Sequence, residues 1–407
     1  MVFLQLLVAV LLLVLVCPLS QAGEITFTGD ARARVILRDE TLFGNEPGGL
    51  KDTYDSRVRL VVNAKSPGGA YAKGRLRFLN KWGVNKVSQT DVDMAYLGIP
   101  FGPVILEAGN MKNNVTRFFE WDQSADQFLV YWDMFDVHWR ASYRVIAEGQ
   151  ESIFEINRLE DNDNEVFGLV AVRELNERLY GQASFFYADD DRDPWVTGEF
   201  IEPASGAYGS IFFEGSYKKI ALHAEAAYKA GNVRQSRDET GAVINLDNVN
   251  RGDGWGWYAE GKYSFESSKL YLNTGMAISG YEADNDFGWI LLGNSNNEPI
   301  SVISKLGANG DWFWIGASLE NQPLERISAI AHVVLVRVDA VTFDDDSILQ
   351  YRGFIETSAD LSFEITEGAT LTWKLGLLLP RLVGTYQGGE VQEDVTFATY
   401  ARLQVNF

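Results

Sequence analysis

The sequence predicts an all-β fold: a transmembrane antiparallel up-and-down β-barrel of about 18 strands, with short periplasmic turns and long extracellular loops. Three observations predict it. Apolar and polar residues alternate with a period of two, short and long connections alternate, and the last apolar-alternating segment ends in Phe407. The alternative is a soluble sandwich or solenoid, in which the apolar face would be a dry core. The combination of the three features favours the barrel.

Residues 1–22 have the pattern of a signal peptide. The apolar run over residues 6–16 is too short to cross a bilayer as a helix. Small residues, including Ala22, follow it and suit cleavage after Ala22. We therefore predict a signal peptide over 1–22 and a single transmembrane barrel domain over 23–407.

Period-two alternation begins directly after the predicted cleavage site. Ile25, Phe27 and Val35 lie on one face of the first segment, while Thr26 and Arg34 lie on the other. Segments of this kind are about 9 to 16 residues long, which suits a strand that crosses a bilayer at a tilt. We predict strands at 24–38, 55–65, 70–80, 91–99, 103–112, 126–133, 136–147, 165–175, 178–190, 207–217, 219–231, 254–266, 268–283, 310–320, 324–339, 350–365, 367–380 and 393–407.

Connection lengths give these strands their orientation. Every second connection is short, whereas 191–206 and 232–253 are long. Bacterial barrels have short periplasmic turns and long outer loops, so this parity places both ends of the chain on the periplasmic side. Residues 148–164 are assigned to a loop, because a strand there would put 191–206 among the short turns. The predicted short turns include 66–69, 100–102, 176–177, 218, 267, 321–323 and 366.

Aromatic residues cluster where two of the predicted strands begin. Such clusters are typical of the aromatic girdle at a membrane interface, and the alternative is the core of a sandwich. The residues concerned are Trp255, Trp257, Trp312, Phe313 and Trp314.

Composition and motifs exclude several classes of function. The chain has 35 Lys and Arg against 56 Asp and Glu, and a net charge of −21 argues against nucleic-acid binding. With 3 His and 1 Cys, a zinc, haem or disulfide framework is disfavoured. The sequence contains no P-loop, G-x-S-x-G, H-E-x-x-H or C-x-x-C-H motif. We predict no enzyme, no catalytic residues, no metal site and no cofactor.

Charged residues on the inward face divide into a basic and an acidic set. Residues 24–80 carry 10 Lys and Arg against 7 Asp and Glu, unlike the rest of the chain. A basic wall in a polar lumen attracts anions; alternatively, these charges pair with one another and merely solvate the interior. The predicted pore-lining residues are Arg32, Arg34, Arg57, Arg59, Lys73, Arg75, Arg77, Arg140, Arg144, Glu225, Glu260 and Glu356.

The segment 113–122 joins the predicted fifth and sixth strands and mixes aromatic with charged residues. Two placements are open: it folds inward and narrows the pore, or it packs on top of the barrel. The residues of this candidate constriction loop are Arg117, Phe118, Glu120, Trp121 and Asp122.

The run Ile-Thr-Phe-Thr-Gly-Asp-Ala-Arg-Ala-Arg at 25–34 resembles the first strand of bacterial outer-membrane porins. Three features are most similar to the alginate-export-like porins: the strand count, the arginine-rich early strands and the Gly-Asn-Met-Lys run at 109–112 before an aromatic loop. This resemblance implies a monomeric barrel without a cofactor that passes anionic or polar solutes.

We therefore expect a porin in the outer membrane of a Gram-negative bacterium, a water-filled channel for passive diffusion of small polar solutes, including anions. The expected partners are outer-membrane lipids and lipopolysaccharide, those solutes, and the barrel assembly machinery through Phe407. Two alternatives stay open. One is a structural or electron-conduit sleeve with a plugged lumen, and the other is a secreted β-rich carbohydrate-binding protein.

Overall fold

A computed structural model gives the architecture as a closed antiparallel barrel of 18 strands, which confirms the predicted fold class. Each strand pairs with the next along the chain, and the last strand also pairs with the first. The structure describes residues 23–39, 50–82, 87–120, 123–147, 164–190, 200–201, 206–231, 236–237, 243–244, 254–278, 281, 283, 287, 311–339, 349–386, 389–390 and 395–407.

The barrel strands are numbered β1 to β18 along the chain. They are Glu24–Asp39, Leu50–Lys65, Tyr71–Lys81, Val87–Phe101, Val104–Asn113, Gln123–Met134, Val137–Ala147, Asn164–Asn176, Leu179–Asp190, Gly206–Tyr217, Ile220–Gly231, Gly254–Ser264, Ser268–Ile278, Asp311–Leu324, Ile327–Asp339, Leu349–Thr366, Ala369–Tyr386 and Thr396–Asn406. Two-residue strands at Phe200–Ile201, Ser236–Arg237 and Val243–Ile244 form a separate small sheet, and Gly389–Glu390 pairs with the end of β17.

Several strands are longer than their apolar alternation. Strand β2 begins at Leu50 rather than at 55, because Lys51 and Asp52 continue the ladder with β1 despite their polarity. The predicted loops 191–206 and 232–253 each contain short strand segments. These boundaries are set by backbone hydrogen bonds to a neighbouring strand, and the alternation of side chains does not indicate where those hydrogen bonds end.

The predicted turn at 321–323 is wrong. Strand β14 continues through Pro323, and the register shifts between Asn321 and Leu324 before the turn at 325–326. A bulge is one of the few places where a strand accepts proline, which has no N–H for the ladder.

Both ends of the barrel wall lie at the rim that carries the short turns. Glu24 pairs with Lys65 beside the turn at 66–70, and the backbone of Phe407 exchanges two hydrogen bonds with Gly29, of 2.7 and 3.0 Å. This end of the barrel is the turn rim, and the opposite end is the loop rim. The predicted orientation of the two chain ends relative to the turns therefore agrees with the register.

The two faces of the wall differ in chemistry. Outward side chains such as Phe27, Leu97 and Ile315 are large, apolar and exposed. Inward side chains near the loop rim, including Trp314 and Phe354, form a buried apolar cluster. Inward side chains nearer the turn rim are mostly polar. A belt of exposed apolar residues around a closed sheet is the surface that a bilayer covers. Among the described residues, no helix is both long enough and apolar enough to cross a membrane.

Candidate functional site

Residues 114–120, between β5 and β6, lie inside the barrel; we call them the lumen loop. The loop closes on itself, since Val115 N donates to Glu120 O at 2.9 Å and Glu120 N donates to Thr116 O at 3.0 Å. Wall residues hold its backbone: Gln182 Nε2 donates to Val115 O and Arg140 Nη1 donates to Asn114 O, each at 3.2 Å. The loop is therefore a fixed part of the lumen in this structure.

An ion pair joins the lumen loop to β7. Arg144 donates through both terminal nitrogens to the Glu120 carboxylate, and its Nη2 also donates to the Tyr208 hydroxyl at 3.0 Å. The Arg144 side chain is 1% exposed and the Glu120 side chain 5%. The Arg144 guanidinium also lies 4.9 Å from the centre of the Phe186 ring. Charges this deeply buried persist only when paired and hydrogen-bonded, so the contact locks loop to wall.

Phe118 fills an aromatic socket on another part of the wall, beside β12. Its ring lies 5.0 Å from Tyr258, 5.2 Å from Tyr281 and 4.9 Å from Phe287. The Tyr281 hydroxyl donates to the carbonyl of Phe118 at 3.0 Å. These are the separations at which aromatic pairs attract, and Phe118 is fully buried among them.

A glycine makes room for this socket. A Cβ atom at Gly256, on β12, would lie 2.6 Å from the Tyr281 ring and 3.0 Å from that of Phe118. No side chain fits there unless the rings move.

Two further contacts complete the attachment of the loop. The hydroxyl of Thr116 donates to Glu225, whose other oxygen is buried without a hydrogen-bond partner. The ring of Phe119 packs 5.9 Å from Phe186 and 5.6 Å from Tyr208. The loop thus contacts strands from β7 to β12, across about a third of the wall.

The basic residues of β1 and β2 are paired with aspartates from the neighbouring strand. Arg34 Nε donates to both oxygens of Asp55, at 2.9 and 2.8 Å. Arg57 Nη2 and Arg59 Nε donate to Asp30 at 3.2 and 2.7 Å. These arginines and aspartates share the inward face because Asp30 stands opposite Arg59, and Arg34 opposite Asp55, in the ladder.

Strands β3 and β4 continue this paired wall. Arg75 makes a bidentate contact with Asp93, at 2.7 and 2.9 Å. Arg77 donates to Asp91 through Nε at 3.0 Å and through Nη2, and its Nη1 lies 3.8 Å from Asp93. Most of the predicted basic wall therefore consists of ion pairs, as in the alternative that the sequence left open.

Arg32 and Lys73 differ from these neighbours, since neither has an ion pair with any residue that the structure describes. Arg32 stands opposite Arg57 in the β1–β2 ladder, and its Nε atom is buried without a hydrogen-bond partner. The positive charge of Arg32 is thus not neutralised by an ion pair with a described residue.

The other predicted pore-lining residues also lie on the inward face. Arg140 contacts the lumen loop, Glu260 accepts from Asn273 Nδ2 at 3.4 Å, and Glu356 is buried near the loop rim beside Ser358. Within the candidate constriction loop, Arg117 is exposed to the lumen while Phe118 and Glu120 are buried. Trp121 and Asp122 lie outside the described residues.

The aspartate partners of the arginines were not predicted from the sequence, and two tryptophans were misplaced. The prediction that Trp312 and Trp314 belong to an outer aromatic girdle is wrong, because both face the lumen and are buried. Their even residue numbers put them on the inward face of β14, so the alternation along this strand could have predicted their position in the lumen. The aspartates that pair with the basic wall were also detectable, because they occupy inward positions on neighbouring strands.

Solved structures that resemble this chain are outer-membrane channels. A BenF-like porin from Pseudomonas fluorescens Pf-5 matches with a TM-score of 0.61 and 9% identity, over 94% of this chain and 98% of that chain. The chain has the porin fold. Pseudomonas aeruginosa OccK2 (OpdF), in complex with glucuronate, matches with a TM-score of 0.60 and 10% identity, over 94% and 98%.

Pseudomonas aeruginosa OpdK with vanillate matches with a TM-score of 0.57 and 11% identity, again over 94% of this chain and 98% of that one. No protein-family model and no curated protein matches the sequence. At these identities the likeness is one of fold.

Proposed function

We propose that this chain is a porin of the Gram-negative outer membrane that lets small polar solutes, including anions, diffuse passively. The observation that carries the proposal is the combination of a closed barrel, an exposed apolar belt and a polar lumen crossed by a fixed loop. A soluble carbohydrate-binding protein would not expose side chains such as Phe27 and Leu97 around its circumference. A passive channel needs no catalytic group or cofactor.

The lumen loop acts as the constriction. It is anchored by the buried Arg144–Glu120 pair and by the Phe118 socket, so it holds one position while solutes pass. Arg117, alone among residues 115–120 in being exposed, presents its charge to the passing solute.

The paired wall of β1 to β4 forms the solute path opposite the loop. Alternating arginines and aspartates solvate the path, and the charge of Arg32, which stands opposite Arg57 in the ladder and has no ion pair with a described residue, favours anions. Glucuronate and vanillate, the ligands named with OccK2 and OpdK, are both carboxylates. We extend that class to this chain on the strength of the Arg32 neighbourhood, and alginate-export-like specificity remains a prediction.

Targeting follows from the two ends of the chain. We infer that residues 1–22 are a signal peptide and that 23–407 insert as one barrel domain, with lipid and lipopolysaccharide around the apolar belt. Phe407, which closes the wall against Gly29, serves as the signal for the barrel assembly machinery. Deleting Phe407 should reduce insertion into the outer membrane, whereas wild-type insertion of a chain lacking 393–407 would contradict the topology.

The alternative with a specific observation in its favour is a plugged sleeve, because the lumen near the loop rim is apolar and buried. Conductance in a planar bilayer separates the two. The porin proposal predicts discrete current steps for the purified wild-type protein and a reversal potential of anion-selective sign in a salt gradient. Absence of current steps from folded, inserted protein would favour the sleeve.

A further inference from the structure

A cavity of about 670 Å³ lies in the lumen between the lumen loop and the turn rim. Thr116 and Arg117 line it from the loop, and Tyr180, His223 and Glu260 line it from the wall. Its wall residues lie close to the short turns that connect their strands. A solute therefore reaches the cavity from the turn side without passing the lumen loop.

The polar part of this cavity is a single row across four strands. Tyr180 on β9 pairs in register with Glu214 on β10, Glu214 with His223 on β11, and His223 with Glu260 on β12. The Tyr258 hydroxyl is hydrogen-bonded to His223 Nε2, which fixes the imidazole in the row. Glu214 is exposed to the lumen, so its carboxylate is available to a solute.

Aromatic rings form the rest of the lining. Phe212 packs edge-on against His223 at 4.5 Å, and Tyr258 lies 4.8 Å from Phe287. Phe212, Tyr258 and Phe287 all border the cavity. Such a lining offers apolar ring faces beside groups that hydrogen-bond, the combination typical of small-molecule sites.

The charges of the lining select the class of ligand. A cation would meet the guanidinium of Arg117, and an anion would meet Glu214 and Glu260. A neutral polyhydroxylated ring avoids both conflicts, because each hydroxyl donates to a carboxylate or accepts from a guanidinium. Its C–H faces can lie on the aromatic rings, and the cavity volume is ample for one or two such rings.

We propose that this cavity binds a neutral sugar, a mono- or disaccharide, on the turn side of the constriction. The inference goes beyond the proposed porin function by adding neutral sugars, with a site of their own, to the anions of the solute path, and it rests on that function only for its role in transport. Binding itself does not require an open channel.

The test measures maltose binding to the purified, detergent-solubilised full barrel by saturation-transfer NMR, with choline, glucuronate and glycine betaine as charged probes. Maltose is expected to bind and the charged probes to bind more weakly. Glu214→Gln should weaken maltose binding about tenfold through the loss of one charge-assisted hydrogen bond.

Glu320→Gln is the matched control. Glu320 is an inward carboxylate near the turn rim, hydrogen-bonded to Lys269 and Tyr271 at 2.7 Å each, and it does not line the cavity. Maltose binding should survive this change. The proposal is overturned if maltose does not bind the wild-type protein, if a charged probe binds more tightly, or if both variants lose binding equally. A non-conducting protein that still binds maltose would reject the channel and keep the site.

Discussion

Two walls of the same lumen use charge in different ways. On β1 to β4, arginines and aspartates from adjacent strands pair along the lumen wall; exposure ranges from the Arg34–Asp55 pair, at 9% and 4%, to Arg77, which keeps 33% of its side chain exposed. On β7, Arg144 is paired with Glu120 of the lumen loop and is almost wholly buried. Exposed pairs such as Arg77–Asp91 contribute little to stability but shape the local field, whereas a buried pair is costly to break. The paired wall therefore governs selectivity, and the loop attachment governs the size of the passage.

The largest effect is expected from breaking the buried pair. Glu120→Gln leaves the Arg144 charge buried and uncompensated, which should lower the free energy of unfolding by about 3 to 5 kcal/mol. Urea titration of the barrel in detergent micelles measures this change. Single-channel conductance should rise as the loop is released.

A control keeps packing and removes both charges. Replacing Glu120 by Leu and Arg144 by Met together should restore most of the lost stability, because apolar pairs often substitute for buried ion pairs. If the single and double variants were equally destabilised, the ion pair would not be what holds the loop.

Gly256→Ala should have the next largest effect. The added methyl group would press on the rings of Tyr281 and Phe118, at a cost of about 1 to 3 kcal/mol. Gly74→Ala on β3 is the matched control, since nothing lies within 4 Å of a Cβ atom there. Equal melting temperatures for the two variants would count against a tightly packed socket.

Selectivity should respond to the paired wall. Neutralising Arg57, Arg59, Arg75 and Arg77 to Gln exposes the charges of their aspartate partners, so the reversal potential in a salt gradient should move toward cations and uptake of anionic solutes should weaken. Neutralising 344–346, an acidic run outside the described residues, should do little. A wild-type reversal potential in the quadruple variant would identify these arginines as structural only.

The smallest expected effect has the opposite sign. Asp30→Asn removes the carboxylate shared by Arg57 and Arg59, so the positive charges of both guanidiniums are no longer neutralised and the potential in the lumen becomes more positive. The reversal potential in a salt gradient should shift modestly toward anions. A shift toward cations would show that Asp30 does not neutralise this wall.

The number of strands, their order and the face on which each side chain lies were predictable from the sequence, because apolar and polar residues alternate wherever one face of the wall is apolar and the other polar. The turn at 321–323 was not, since a bulge absorbs Pro323 without ending the strand. The position of residues 114–120 was left open because their anchors lie far along the chain: Glu225 is 109 residues from Thr116, and Tyr281 is 163 from Phe118. No local pattern records contacts of that separation.

Conductance and reversal potential measured on the same channels test the division of labour between the two walls most directly. Phe118→Ala empties the aromatic socket without changing charge, so we predict a larger conductance and a nearly unchanged reversal potential. The quadruple arginine variant should show the converse, a reversal potential moved toward cations and a conductance close to wild type. If either variant changed both quantities together, the separation of passage size from selectivity would be contradicted.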